Sequence, residues 1–262
     1  MNAFFDLQTW TLALAALLAF GVAGWIVSLL RRDVSIVDGM WSLMFLIAAL
    51  CYAGSMDVPA ARSVLIVSLV VVWSLRLSAH IFWRNRGTDE DYRYRQIRAN
   101  NSPNFAFKSL YIVFGLQAFL AWIISLPLLP ATTSTASFGL LDFAAVTLWL
   151  LGFVFESVGD YQLTRFKASE GNRGKVLDTG LWRYTRHPNY FGDFCIWWAF
   201  YLFALSAGAW WTIVSPLLMS FLLLKVSGVA LLERDIGERR PKYADYIART
   251  NAFFPGPRRK TR

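Results

Sequence analysis

Apolar residues fall in seven blocks, roughly 9–30, 36–55, 63–83, 108–129, 138–158, 190–207 and 210–232. Each is close to the ~20 residues a helix needs to cross a hydrocarbon core of ~30 Å. In lipid, a segment of this length satisfies its backbone polar groups as a helix. The breaks on one side carry turn chemistry: Gly54-Ser55-Met56-Asp57 with Pro59, Pro130 through Ser137, and Ser206-Ala207-Gly208. The pattern predicts an all-α, polytopic membrane protein with seven transmembrane helices in one integral membrane domain over 1–262, without an internal repeat.

The connections on the other side hold the cations. Arg31 and Arg32 follow the first block, and Arg84, Arg86, Arg93, Arg95, Arg98 and Lys108 follow the third. Arg165, Lys167, Arg173, Lys175, Arg183 and Arg186 follow the fifth, and more come after Arg234, against Arg62 alone on the opposite side. Lys and Arg concentrate in cytoplasmic loops. The N-terminus is therefore expected outside and the C-terminus in the cytoplasm, as an odd number of spans requires. No basic flank or cleavage site accompanies the first block, so Thr9–Leu30 reads as a retained span.

Composition agrees with this reading. Charged residues make up 16% of the chain, against about 25% in soluble domains. Twelve Trp, ten Tyr and twenty-one Phe suit two water–lipid interfaces. The net charge of +9 follows from the cytoplasmic excess. The run from Arg258 to Arg262 reads as attraction to anionic head groups, about 1 kcal/mol per cation near the surface, and no nucleic-acid partner is expected. Cys51, Cys195, His80 and His187 build neither a disulfide framework nor a metal site.

Ionisable residues inside spans usually face a partner or a cavity. Arg76, His80 and Arg84 recur every four residues on one face of the third span. Glu156 and Asp160 repeat that spacing at the end of the fifth, Asp38 opens the second, Gln117 lies in the fourth and Lys225 in the seventh. The bland alternative is an interhelical ion pair such as Asp38–Arg76 or Glu156–Lys225. Asp89-Glu90-Asp91, beside Tyr92 and Tyr94, reads as a solvated helix start, and the pairs Trp197-Trp198 and Trp210-Trp211 read as packing on lipid or marking the interface.

Gly180-Leu181-Trp182-Arg183-Tyr184-Thr185-Arg186-His187-Pro188-Asn189-Tyr190-Phe191-Gly192-Asp193 runs into the sixth block. Pro188 marks where a helix begins, and Asn189 is expected to cap it. Free N–H groups flanked by Arg183, Arg186 and His187 would then form an anion site. Tyr184 and Tyr190 could stack on a flat ring, and Asp193 could accept from ribose hydroxyls or an amide.

Arg-His-Pro-x-Tyr-x-Gly at the mouth of a late span resembles the superfamily of steroid 5-alpha-reductases, sterol C=C reductases and isoprenylcysteine carboxyl methyltransferases. The chain is most similar to the group carrying the steroid 5-alpha-reductase C-terminal domain, in its bacterial branch. Glu156 through Leu163 resembles the group's cofactor-binding Asp-Tyr segment, and Gly180 through Asp193 its Gly-Leu-Phe … Asn-Phe-Leu-Gly-Glu segment. Glu233-Arg234, Tyr243 through Arg249 and Phe253-Phe254-Pro255 are similar to the shared tail. The likeness is clearest over 150–257.

The resemblance implies an NADPH-dependent membrane oxidoreductase that reduces a conjugated C=C bond of an apolar steroid, sterol or isoprenoid-like substrate entering from the bilayer. Residues 1–130 would supply substrate-side helices and 131–262 the cofactor region. Asp160, Lys167, Lys175, Asn189 and Asp193 fall where the reductases contact NADPH. Arg165 adds charge for phosphates, with Tyr184, Arg186, His187, Tyr190, Glu233, Arg234 and Tyr246 around them. Lys167 and Lys175 stand where the steroid enzymes have arginine, which removes the bidentate fork. His80-Ile81-Phe82-Trp83-Arg84 looks like the family's His-Tyr-Phe-His-Arg, with Ile81 in place of the carbonyl-polarising tyrosine. His80 or a protonated Asp38 is then the candidate catalytic donor. The alternatives are an S-adenosylmethionine-dependent membrane methyltransferase, since that group shares the motif, and a non-catalytic lipid-binding scaffold. The expected location is the bacterial inner membrane.

Overall fold

A computed structural model describes residues 5–58, 60–226 and 242–259, and every regular element among them is helical. The main helices are α1 (Leu7–Arg31), α2 (Ile36–Ala53), α3 (Ala61–Arg84), α4 (Tyr92–Asn100) and α5 (Phe105–Ile124). They continue as α6 (Leu128–Thr133), α7 (Leu140–Ala168), α8 (Pro188–Ser206), α9 (Trp210–Val226) and α10 (Lys242–Arg249).

Five of these, α1, α2, α3, α5 and α7, are long and apolar enough to cross a membrane. Seven such helices were expected. α8 has 19 residues, but Asn189 and Asp193 in its first turns reduce its apolar character. α9 is a shorter apolar helix in its described part, and the expected span 210–232 runs into residues outside the described ones, as do Glu233 and Arg234. α7 continues past its expected end at 158 to Ala168. At about 1.5 Å per residue it is about 43 Å long, more than a ~30 Å hydrocarbon core needs. Asp160, Arg165 and Lys167 thus ride on a continuous helix instead of a loop.

The described residues form two compact units, Met1–Phe138 with Ala204–Thr212, and Gly139–Phe203 with Ile213–Arg262. In the first, Val34, Val37, Met40, Tyr94, Phe105, Val113 and Phe114 form a buried cluster. The α2–α3 contact is close because small hydroxyls donate across it: Ser42 Oγ to the Ser74 carbonyl at 2.9 Å, and Ser78 Oγ to the Gly39 carbonyl at 2.8 Å. Within α5, Leu110–Gly115 is a π-helical turn, a widening often found at functional sites. Arg62, the one cation expected on the outer side, is 1% exposed. Its guanidinium donates to Ser206 Oγ at 3.2 Å and to the Ala136 carbonyl at 3.4 Å.

In the second unit α7 and α8 meet almost backbone to backbone. A Cβ on Gly192 would lie 2.5 Å from the Gly152 carbonyl oxygen and 2.5 Å from the Glu156 nitrogen. Only glycine permits that approach. Trp197 is fully buried, a correction to its reading as a lipid-facing residue, while Trp210 remains 68% exposed. Asp142, near the start of α7, is buried and accepts the Gly139 N–H at 2.8 Å, which satisfies a backbone donor that the helix leaves open.

Candidate functional site

Two polar clusters stand out, one in each unit, the first largely buried and the second half-buried. The first is built where α8 begins. The helix starts at Pro188 itself, so Asn189 is its second residue and not its cap. The Asn189 amide instead donates to Asp160 Oδ1 at 3.2 Å. Close packing fixes the register: a Cβ on Gly159 would sit 3.1 Å from the Pro188 ring and 3.2 Å from the Asn189 nitrogen. Glu156, Asp160, His187 and Asp193 are all buried here. The His187 and Tyr190 rings stack at 5.7 Å and 17°.

The preceding turn, Gly180–Arg183, is fastened to α7. Gly180 has φ +60, and its N–H neighbour Leu181 donates to Gln162 Oε1 at 3.0 Å. Trp182 Nε1 donates to the Gly159 carbonyl at 3.1 Å. Residues 242–259 close over the same turn. Tyr246 Oη donates to the Trp182 carbonyl at 2.6 Å, and Thr185 Oγ1 to the Phe253 carbonyl at 2.7 Å. Burial pushes the Tyr246 phenol above its ordinary range.

Arg186 corrects an expectation. It is 7% exposed, and its guanidinium donates to the carbonyls of Thr250 at 2.6 Å and Ile247 at 3.2 Å. These carbonyls close α10, where a cation complements the helix end. Arg186 therefore joins the turn to the tail, and the same holds for Tyr246. Arg258, expected to be part of a head-group-binding run, pairs with Asp178 at 2.8 Å. Among the described residues the exposed cations of this unit are Arg165, Lys167, Arg173, Lys175, Arg183, Lys225 and Arg259, and Tyr184 is also exposed. Arg165 reaches the Tyr161 hydroxyl at 3.1 Å.

The second cluster surrounds Asp38. Its Oδ2 takes a 2.6 Å ion pair from Arg93, and its Oδ1 accepts the Tyr94 hydroxyl at 2.6 Å. Gln117 Nε2 donates to that same hydroxyl at 3.3 Å. Asp38 thus has partners on α4, not the Arg76 that the chain pattern suggested. His80 is half-buried on α3 with its ring 6.4 Å from Trp83, and it is not among the partners of Asp38.

Tyr94 is the residue the chain pattern missed. The acidic run 89–91 does open a helix, with Asp91 as N-cap accepting the Arg93 N–H at 2.9 Å. It is not simply solvated, because Glu90 accepts the Val34 N–H at 3.0 Å and Arg98 at 2.7 Å. Tyr94 and Ile97 then turn inward three residues apart, the spacing of one helix face. Burial first, and then the charge of Asp38, raise the Tyr94 phenol well above its ordinary range.

These features define a helical integral membrane protein with a polar cluster in each of two units. The chain belongs to the family described as a protein of unknown function, DUF1295, whose pattern matches residues 24–250. It is 29% identical over 270 residues to an uncharacterized protein of Schizosaccharomyces pombe, C594.04c, covering 88% of this chain and 75% of that relative. No solved structure matches it.

Proposed function

We propose that this protein is an NADPH-dependent reductase of a conjugated C=C bond in an apolar steroid, sterol or isoprenoid-like substrate. In this reading seven spans cross the membrane, with the N-terminus outside and the C-terminus cytoplasmic. The observation that carries it is the Asn189–Asp160 hydrogen bond at 3.2 Å. It joins the two segments that resemble the cofactor segments of membrane reductases.

The donor set suits such a cofactor. Arg165, Lys167 and Lys175 offer exposed positive charge for phosphates. Asp160, Asn189 and Asp193 offer side chains for hydroxyls and an amide. Arg186 and Tyr246 hold the turn that carries His187 and Tyr190. When bound, NADPH supplies the hydride for the β-carbon of the substrate. His80 or Asp38 would supply the hydrogen-bond donor or proton that a developing enolate needs.

Spectrophotometric consumption of NADPH by the purified protein, given a steroid or prenyl enone, tests the reading. Methyl transfer from S-adenosylmethionine without NADPH consumption would overturn it in favour of the methyltransferase alternative.

A further inference from the structure

At one end of the first unit, three helices change surface within a single residue. Leu30 is followed by Arg31 where α1 ends, Trp83 by Arg84 where α3 ends, and Phe107 by Lys108 near the start of α5. Leu30 is 81% exposed, Trp83 57% and Phe107 65%. Exposed apolar chains and rings that give way to cations mark a water–lipid boundary.

α4 rests on this boundary. Its Tyr94 and Ile97 pack with Val34, which follows α1, and with Phe105, which opens α5. The head-group layer beyond the hydrocarbon is about 5–8 Å deep on each side, less than the ~10 Å width of a helix. The outward side chains of α4 therefore stand at head-group depth.

Charge at this end is divided unevenly. The Asp33 carboxylate accepts the Ser35 N–H, Asp38 and Asp91 pair with Arg93, and Glu90 pairs with Arg98. Asp89 is the one exposed carboxylate there, against exposed Arg31, Arg32, Arg84, Arg86 and Arg95. Arg84 and Arg95 stand close enough to Asp91 and Glu90 to help lower those carboxyls, so the arginines gather around groups that already have partners. The surface they leave is positive.

We infer that this end of the first unit is a binding surface for anionic phospholipids. Arg31, Arg32, Arg84, Arg86 and Arg95 take the phosphates of the bilayer that the protein spans, and Trp83 and Phe107 lie beside the acyl chains. An acidic soluble partner would match the charges but not the exposed Leu30, Trp83 and Phe107 that border them. The inference does not depend on the reductase reading, whose cofactor segments lie in the other unit.

The test reconstitutes the full chain in phosphatidylcholine bilayers with spin-labelled phosphatidylglycerol or spin-labelled phosphatidylcholine as probe. Electron spin resonance then measures the lipid held at the protein surface. The wild type should favour phosphatidylglycerol about 5-fold in low salt, the scale of one cation near a charged surface. High salt should remove most of that preference by screening. Arg32→Gln, Arg86→Gln and Arg95→Gln together should bring it to about 2-fold or less. Arg173→Gln, Lys225→Gln and Arg259→Gln, which remove the same charge from the second unit, should change it little. Arg32→Lys, Arg86→Lys and Arg95→Lys together should keep it, since this attraction needs charge and not a planar fork.

An unchanged preference in the first glutamine triple would overturn the assignment and leave the surface to an acidic protein partner. An equal loss in both glutamine triples would overturn it too. If the first triple does not fold, hydrogen exchange of the wild type in nanodiscs decides. Amides of 92–100, relative to those of α10, should exchange more slowly in phosphatidylglycerol than in phosphatidylcholine, and equal ratios would overturn the surface.

Discussion

Asp160 on α7 accepts a hydrogen bond from the side chain of Asn189, 29 positions later on α8, at 3.2 Å. Both lie at a helix junction where glycine lets the backbones touch. Removing either partner should disturb this junction without opening the unit. Asp160→Ala and Asn189→Ala are each expected to weaken NADPH binding about 10-fold, equivalent to about 1.4 kcal/mol. Their melting temperatures should stay near wild type, and titration of cofactor into purified protein is the check. An unchanged affinity in both variants would remove the pair from the site.

The Gly152–Gly192 approach makes a sharper structural prediction. A methyl group at Gly192 meets backbone atoms at 2.5 Å, and backbone cannot rotate away. Gly192→Ala should cost about 1–3 kcal/mol through overpacking and lower the thermal midpoint in detergent. Gly159→Ala meets its neighbours at 3.1–3.2 Å and should cost less. The reverse order would mean that α7 and α8 do not pack this way.

Much of the helical layout was legible because a bilayer-length apolar block has few other folds open to it. α1, α2, α3, α5 and α7 follow from the chain pattern alone. The extension of α7 through Ala168 was not legible, since its last residues are polar and read as a loop. Asp38 stood out as a carboxylate at the start of an apolar block, but its partners did not. Tyr94 is 56 positions away on a short helix of mostly polar residues, and only the fold turns that tyrosine inward. Arg186 misled in the opposite sense. An arginine beside His-Pro suggests an anion, yet here two carbonyls at the end of α10 take its donors.

Arg186 should accordingly matter for the tail first. Arg186→Ala leaves the Thr250 and Ile247 carbonyls without their charged donor, a loss of about 1.5–3 kcal/mol per charged hydrogen bond. Limited proteolysis within 242–259 should accelerate markedly in that variant. Arg186→Lys should rescue it only in part, since one ammonium does not reproduce the planar fork. Equal protease resistance in the alanine variant and wild type would contradict the clamp.

Acid should loosen α4 before the rest of the first unit. Burial works against the Glu90 and Asp91 carboxylates, but hydrogen bonds from Arg98 and Val34, and from Arg93, outweigh it and hold both below their ordinary range. A carboxylate lowered in the folded state contributes stability above its unfolded value, about 4, and loses it as pH falls through the folded value. Hydrogen exchange in 92–100 should therefore rise as pH drops below about 4, after correction for the intrinsic pH dependence of exchange. Glu90→Gln should show part of that increase already at neutral pH. Protection in α4 that is independent of pH down to full protonation would contradict the assignment.

The most direct measurement of the central claim is equilibrium binding of NADPH to the purified full-length chain in nanodiscs, with NADP+ and S-adenosylhomocysteine as competitors. The account predicts saturable NADPH binding that NADP+ displaces, that S-adenosylhomocysteine does not, and that Asp160→Ala weakens. Saturable binding of S-adenosylmethionine with none of NADPH would contradict it.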